Sequence, residues 1–452
     1  MSFEHKSQPF INNLCAELEN STIFHIPMRD NDNIKRGLRN SDGTGVMVGC
    51  TKIGSVRGYT IVDGEKEPME GKLIYRGYSL RDLIDGFTAA GRFGFEEIAY
   101  LLLFGYLPTQ EEYNQFHEML NDHMLLPDGF TEDMILKAPS SDIMNKLARS
   151  ALVMYSYDDN PDDTSLQNMI HQAIRLIARF PLIVAHSYAA KVRYCDNGSL
   201  ILHYPKPEYS VAENFLHCIR PDSKFTEEEA RLLDVCLVIH AEHGGGNNSA
   251  FTCRVLSSSG TDTYSAIAAA VGSLKGPKHG GANARVAAMF EEIKANVANW
   301  EDDEEVSEYL AKILRKEAGD GSGLIYGMGH AIYTLSDPRA VILKNAARDL
   351  AAKTGYLKEL ELLERIERLS PEVFRQVTGS EKVMCANVDF YSGLVYRMLN
   401  IPPELFTPLF AIARVTGWCA HRIEEVMTSN RIIRPAYKSM VQSRKYTEME
   451  QR

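Results

Sequence analysis

The stretch TEEEARLLDVCLVIHAEHGGG (226–246) decides the fold class. Thr226 and Glu229 have the spacing of a capping box, in which each side chain bonds the backbone amide of the other residue at the start of a helix. Leucines and a histidine then recur at helical spacing along one face. The glycine run ends this helix, and the pattern puts His243 in its last turn. The stretch therefore predicts a helix rather than a strand.

The same helical pattern continues on both sides. FEEIAYLLLFGYLP (95–108) is typical of a buried helix, Thr109 with Glu112 repeats the capping box, and TDTYSAIAAAVGSLKGP (261–277) predicts a helix of small residues. Strand patterns are confined to about residues 45–75, where TKIGSVRGYTIVDG and KLIYRG predict short hairpin pieces. Because strands and helices do not alternate, we predict an all-α fold rather than an α/β fold.

A chain of 452 residues has room for two or three structural units. Strongly charged helical sequence at 299–318 and 357–369 is interrupted by a glycine-rich loop, which is typical of solvated helices. We therefore predict a smaller, mobile helical domain at residues 281–392. Residues 1–280, with the short strands, and 393–452 are predicted to form the larger domain.

Charge and hydropathy exclude several classes of protein. The formal net charge is −11, with no clustered excess of Lys and Arg, which argues against a nucleic-acid partner. No run of about 18 apolar residues is present, and the N-terminus lacks the pattern of a signal peptide. We expect a soluble, cytoplasmic protein that does not enter a membrane.

Four glycine-flanked stretches carry the candidate chemistry. They are HAEHGGGNNSA (240–250), GPKHGGANARV (276–286), GMGHAIYTLSDPRA (327–340) and NVDFYSG (387–393). Glycine lets the backbone approach a ligand closely, and loops on a rigid scaffold are where catalytic groups concentrate. Together with three arginines, these stretches offer one carboxylate and several imidazoles, a set that suits carbanion chemistry on dianionic acids.

Taken singly, these residues leave alternatives open. His240 and His243 could be core histidines, partners of a helix dipole, or zinc ligands of a hydrolase, although HxxH lacks the HExxH arrangement and no third ligand is evident nearby. His279 and His330 could serve packing alone, and Asp389 could be a turn residue. A helical scaffold without activity is a further alternative.

In their order and spacing, the motifs resemble the citrate synthase family. The resemblance runs from LIYRGYSLRDL (73–83) through GPKHGGAN, GHAIYTLSDPR and NVDFYSG to the pair Arg434 and Pro435. It implies the two-domain helical fold of that family. It also implies a Claisen-type condensation of acetyl-CoA with oxaloacetate, followed by thioester hydrolysis to citrate and CoA, the opening step of the tricarboxylic acid cycle. No metal and no organic cofactor is implied.

The resemblance assigns three catalytic roles. Asp389 would remove the proton from the carbon next to the thioester. His279, expected to be neutral, would donate a hydrogen bond to the thioester oxygen, where preorganised donors stabilise developing charge. His330 would polarise and then protonate the carbonyl oxygen of oxaloacetate.

The resemblance also implies substrate contacts and a homodimer. Guanidinium groups bind carboxylates bidentately and stay charged, which suits oxaloacetate. The implied oxaloacetate residues are His243, Arg339, Arg414 and Arg434. The implied CoA residues are Ile325, Gly327, Met328, Lys382 and Asn387. In the family, the arginine matching Arg434 reaches the site of the neighbouring subunit, and the smaller domain closes over oxaloacetate.

The sequence leaves two questions open: which acyl-CoA the enzyme uses, and whether an effector regulates it. Citrate and 2-methylcitrate synthases share every motif above, and one extra methylene is worth only about 1–3 kcal/mol to a pocket. The segment at 405–421 has features of both, whereas NVDFYSGLVYR (387–397) favours acetyl-CoA, with propionyl-CoA or both as the alternative. In some relatives an N-terminal region belongs to an NADH response and a hexamer. The residues before Gly45 do not identify such a site, so we predict a dimer.

Overall fold

The computed structural model describes residues 15–18, 20, 34–41, 43–62 and 65–451. The chain forms two compact units, one made of its two ends, Met1–Gly49 and Ile433–Arg452, and the other of Cys50–Ile432. The predicted division into larger and smaller domains at 280/281 and 392/393 stays a prediction. The segment before Gly45 was considered above as a possible site of an NADH response. Most of it lies outside the described residues.

Helices dominate the unit Cys50–Ile432. Its α-helices within the described residues are α1 Leu80–Ala89, α2 Phe95–Phe104, α3 Gln110–His123, α4 Ile143–Val153, α5 Leu166–Tyr194, α6 Val211–Ile219, α7 Glu227–His240, α8 Asn248–Ser257, α9 Thr263–Lys275, α10 Ala282–Asn296, α11 Asp303–Leu314, α12 Pro338–Thr354, α13 Leu357–Thr378, α14 Val388–Met398 and α15 Phe406–Thr428. The only strands in the described part are three short ones. The predicted all-α fold class is confirmed.

Both predicted capping boxes are present. Thr109 Oγ1 accepts from the amide of Glu112 at 3.3 Å, and the Glu112 carboxylate accepts from the amide of Thr109 at 2.8 Å. Thr226 and Glu229 repeat this exchange at 3.2 and 2.8 Å. Helix α2 is capped at its C-terminal end by Gly105, whose φ of +94° lies in the left-handed region. Glycine adopts this conformation at little energetic cost because it has no Cβ. Local sequence therefore sets these helix ends.

The end of α7 differs from the prediction. The helix stops at His240, so His243 lies beyond it in a turn and not in its last turn. The amide of Gly244, which would continue the helical ladder to the carbonyl of His240, donates to the Glu242 carboxylate instead. The His240 carbonyl accepts from Arg414 Nε at 2.6 Å. The Gly244 amide and the His240 carbonyl, which would bond each other in another helical turn, are thus both bonded to side chains.

The predicted hairpin forms a three-stranded antiparallel sheet in the order β1 Gly54–Val62, β2 Glu65–Tyr75 and β3 Tyr78–Ser79. It holds the loop 330–337, which begins with the candidate residue His330 and leads into α12, where Arg339 lies. Thr334 Oγ1 accepts from the amide of Met69 at 3.2 Å and donates to the carbonyl of Gly58. The sheet therefore clamps this loop.

We expect Gly58→Ala to destabilise the protein. A Cβ at this position would lie 2.4 Å from the Ile332 carbonyl oxygen and 2.5 Å from Tyr333 Cα, so the backbone would have to shift. Overpacking of this kind costs about 1–3 kcal/mol in the free energy of unfolding. Gly86→Ala is the control, because its Cβ would meet nothing within 4 Å inside α1. Denaturant unfolding of both variants measures the difference, and equal stabilities would show that the clamp does not need a glycine.

Helix α15 is the centre of the core. It packs against α2, α5, α7, α8 and α9. It also carries polar side chains with almost no exposure, including Arg414, His421 and Arg422. Because burying a charge is costly unless it is paired or used, these residues point to function.

Candidate active site

His243 and His330 face each other at the candidate site. Their Nε2 atoms lie 3.3 Å apart. His330 Nδ1 accepts from the amides of Ile332 and Tyr333 at 3.1 Å each, so in the neutral ring the proton is on Nε2. Burial, together with the charge of Arg339, lowers the pKa of His330 to about 4. A neutral Nε2–H is thus aimed into the site as a hydrogen-bond donor.

Tyr333 fixes the plane of the His330 ring. The two rings stack with centroids 4.5 Å apart and an interplanar angle of 29°. The Tyr333 ring is buried, and its hydroxyl has no hydrogen-bond partner among the described residues. His243 packs on the same tyrosine at 5.7 Å. Burial and the charge of Arg339 hold the pKa of His243 well below its ordinary value, so that ring is neutral as well.

Arg339 lies at the start of α12 in a buried ion pair. Its Nε and Nη2 donate to the two oxygens of Asp337 at 3.0 and 2.7 Å. Asp337 is also the N-cap of the helix and accepts from the Arg339 amide at 3.0 Å. Nη1 of Arg339 and the second N–H of Nη2 are left for a substrate carboxylate.

Arg414 is fully buried and largely unpaired. Its Nε bonds the His240 carbonyl, and its guanidinium lies 4.6 Å from the centre of the Phe410 ring. Nη1 and Nη2 have no hydrogen-bond partner in the described part of the chain. Burial lowers the pKa of Arg414 to about 10, against the opposing charge of Glu242, so it remains a cation at neutral pH. A buried cation with free donors is built for an anionic ligand.

Asp389 occupies the first turn of α14. Asn387 caps this helix, and its Oδ1 accepts from the Asp389 amide at 3.0 Å. Burial raises the pKa of the Asp389 carboxyl to about 6, while the charge of Arg339 acts in the opposite direction. A carboxylate with a raised pKa is a stronger base than a free aspartate.

His279 follows α9 and is held by Ser249. The distance from His279 Nε2 to Ser249 Oγ is 3.1 Å, and Trp418 Nε1–H donates to the same oxygen at 3.1 Å. The hydroxyl proton has two acceptors in reach, His279 Nε2 and Asn247 Oδ1 at 2.8 Å. When it points to His279, the imidazole carries its own proton on Nδ1 and can donate from there. Burial lowers the pKa of His279 to about 4, so the ring is neutral.

We expect Ser249→Ala to lower kcat by about 2- to 12-fold without changing the KM for oxaloacetate. The hydroxyl selects the tautomer of His279, and a hydrogen bond is worth about 0.5–1.5 kcal/mol. Thr252→Ala on the same helix is the control, because that hydroxyl bonds only the Asn248 carbonyl. Steady-state kinetics of both variants test this, and an unchanged kcat in Ser249→Ala would contradict the role.

The predicted CoA residues are mostly brought together. The amide of Asn387 donates to the Gly327 carbonyl at 2.8 Å, and Met328 forms a bridge with Ala386. This pairing joins the loop of His330 to the helix of Asp389. Ile325 is buried, and its carbonyl accepts from the amide of Met328 at 3.2 Å. Lys382 is exposed on the segment that precedes the pairing.

Arg434 and His240 have different surroundings. Arg434 is exposed and belongs to the unit formed by the chain ends. His240 Nε2 lies 2.7 Å from the Tyr396 hydroxyl. Among the described residues, no group of three or more His, Cys, Asp or Glu side chains could hold a metal ion, and no helix is long and apolar enough to cross a membrane.

Several residues of the site were not singled out from the sequence. They are Ser249, Tyr333, Trp418, Glu242 and His421. All five lie inside stretches named above, but no local pattern shows what they contact. Buried polar residues on the apolar helix α15 are the signal that could have drawn attention to His421.

Proteins of one family resemble this chain in sequence and in fold. The family model described as citrate synthase, C-terminal domain, matches residues 42–436. A citrate synthase of Synechocystis is 36% identical over 90% of this chain and 91% of its own length. A 2-methylcitrate synthase of Shewanella oneidensis is 34% identical over 80% of this chain and 87% of its own length. The ternary complex of carboxymethyl coenzyme A and oxaloacetate with the citrate synthase of Thermoplasma acidophilum superimposes with a TM-score of 0.74, at 29% identity, over 93% of this chain and 99% of that chain.

The fold and the site define an acyltransferase, an enzyme that converts an acyl group into an alkyl group on transfer. The chain belongs to the citrate synthase family.

Proposed function

We propose that this enzyme condenses acetyl-CoA with oxaloacetate and hydrolyses the product thioester to release citrate and CoA, the opening step of the tricarboxylic acid cycle. The observation that carries the proposal is the buried guanidinium of Arg414 with two unpaired nitrogens. Leaving such donors without a partner costs about 1–3 kcal/mol each, so the site fits a ligand that brings carboxylate oxygens. Arg339 Nη1 and His243 supply further contacts for a dianion.

In the proposed mechanism Asp389 takes a proton from the methyl carbon of acetyl-CoA. His279 donates a hydrogen bond to the thioester oxygen, which carries the developing negative charge. The carbon then attacks the keto carbon of oxaloacetate, and the new alkoxide takes the proton from His330 Nε2. His330 regains a proton from solvent and Asp389 releases to solvent the one it took, so both groups return to their starting states. Water hydrolyses the thioester, and CoA leaves. No step requires a metal or an organic cofactor.

The assembly is part of the proposal. The enzyme would act in the cytoplasm as a homodimer, in which Arg434 of each subunit serves the site of the other. The smaller domain, residues 281–392, would close over oxaloacetate and complete a CoA site from Ile325, Gly327, Met328, Asn387 and Lys382. Its closure would exclude water while the carbanion exists.

A second candidate is 2-methylcitrate synthesis from propionyl-CoA. The relative of that name from Shewanella oneidensis supports it, at nearly the same identity as the citrate synthases. The two reactions need the same catalytic groups and differ by one methyl group on the attacking carbon.

Thiol release from acetyl-CoA and from propionyl-CoA, each with oxaloacetate, tests the proposal. We expect kcat/KM to favour acetyl-CoA by about tenfold or more, the range that one methylene can supply. A preference for propionyl-CoA would establish the second candidate. No CoA release with either thioester would contradict both.

A further inference from the structure

A second buried network lies behind the site and ends beside His243. Glu242 has no exposure, and its Oε1 accepts from His421 Nε2 at 2.9 Å and from the amide of Gly244. His421 Nδ1 lies 2.8 Å from Arg254 Nη2. Because a guanidinium has only donors, His421 Nδ1 accepts, and the proton of the neutral ring is on Nε2, facing Glu242.

Arg254 anchors this network at its far end. Its Nη1 donates to Glu425 Oε2 at 2.8 Å, and its Nη2 also contacts Glu424. Glu424 in turn accepts from the amide of Lys52 at 2.7 Å. An unbroken series of hydrogen bonds therefore runs from Glu424 and Glu425, near the C-terminal end of α15, through Arg254, His421 and Glu242 to the loop that carries His243.

Two glycines lie close to the Glu242 carboxylate, whose Oε2 has no hydrogen-bond partner in the described part of the chain. A Cβ on Gly417 would lie 2.5 Å from Glu242 Oε2, and a Cβ on Gly54 would lie 2.8 Å from Glu242 Cγ. Neither glycine has a left-handed backbone, so the close approach is the reason for a glycine at each position. An apolar residue would fill such a core position without the cost of burying a charge. The placement therefore serves more than packing.

We propose that Glu242, held by His421 and Arg254, is a positioning residue that sets the imidazole of His243 against His330 and the substrate. Glu242 directly precedes His243 and bonds the amide that directly follows it, so its carboxylate fixes the turn from both sides. The inference rests on the proposed function, because it assigns His243 to oxaloacetate binding. A displacement of about 1 Å at such a site can cost about 10²-fold in rate.

Two variants at His421 separate positioning from packing. In His421→Gln the side-chain amide can donate to Glu242 and its oxygen can accept from Arg254, which keeps the order of donor and acceptor in a neutral group. In His421→Leu both bonds are lost. We expect His421→Leu to raise the KM for oxaloacetate at least tenfold, and His421→Gln to stay within about threefold of the wild type. His421→Asn, with the same amide one methylene shorter, replaces the leucine variant if that protein does not fold.

A double-mutant cycle with His243→Ala provides the decisive readout. If Glu242 acts through His243, the effect of His421→Leu or His421→Asn on the KM for oxaloacetate disappears once His243 is gone. Equal KM values in all His421 variants, or effects that add fully to His243→Ala, would overturn the inference. The wild-type enzyme tests the proposed function separately. If that function is wrong, the wild type releases no CoA, and this result is known before any variant is made.

Discussion

Asp389→Asn lowers kcat by about 10²- to 10⁴-fold, the range expected when a general base is removed. The carboxyl stands at the start of α14, where burial raises its pKa to about 6. A free aspartate, near pKa 3.9, would be a much weaker base towards carbon. Asparagine keeps the shape and loses the basicity, so oxaloacetate should still bind. Steady-state kinetics with oxaloacetate calorimetry measures both effects.

The same pKa predicts the acid limb of the wild-type pH profile. Below about pH 6 Asp389 of the free enzyme becomes protonated and cannot accept a proton, so kcat/KM should fall as the pH is lowered through that value. Asp349→Asn, an exposed position on α12, is the control and should leave both the rate and the profile unchanged. Near-normal turnover in Asp389→Asn would show that another group is the base.

Arg414→Met raises the KM for oxaloacetate by about 10²-fold or more. Truncating one partner of a buried charged contact costs about 2–5 kcal/mol, and the two free nitrogens of Arg414 are the unused donors of the site. The variant should also be no less stable than the wild type when oxaloacetate is absent, because a buried, poorly paired cation is replaced by an apolar side chain. Kinetics and thermal unfolding together test this pair of effects.

Arg422→Met is the matched control for Arg414. Arg422 lies on the same helix and is equally buried, but its guanidinium donates to Thr263, Ser257 and the Thr261 carbonyl. This variant should lose stability without a large change in KM. Loss of stability in Arg414→Met with an unchanged KM would mean that Arg414 is a structural cation and does not bind substrate.

The part of the fold set by local sequence was predictable. Capping boxes at Thr109 and Thr226 act within four residues, so the helix starts were correct. The prediction of where α7 ends was wrong, because side chains distant in sequence determine that end. The His240 carbonyl is taken by Arg414, 174 positions further along the chain, and no local pattern contains that contact.

The same distinction applies to the site. The tautomer of His330 is set inside its own motif, by the amides of Ile332 and Tyr333. The hydroxyl that bonds His279 is itself held by a residue far along the chain. Ser249, which bonds His279, accepts from Trp418 across 169 positions, and Glu242 pairs with His421 across 179. The raised pKa of Asp389 likewise depends on burial, which its sequence neighbours do not reveal.

Carbon–carbon bond formation is the central claim, and a labelled substrate tests it most directly. Incubation with oxaloacetate and acetyl-CoA labelled in its methyl carbon, followed by nuclear magnetic resonance of the products, traces where that carbon goes. We predict labelled citrate in amounts equal to the CoA released. Labelled acetate with no labelled citrate would show simple thioester hydrolysis and contradict the account.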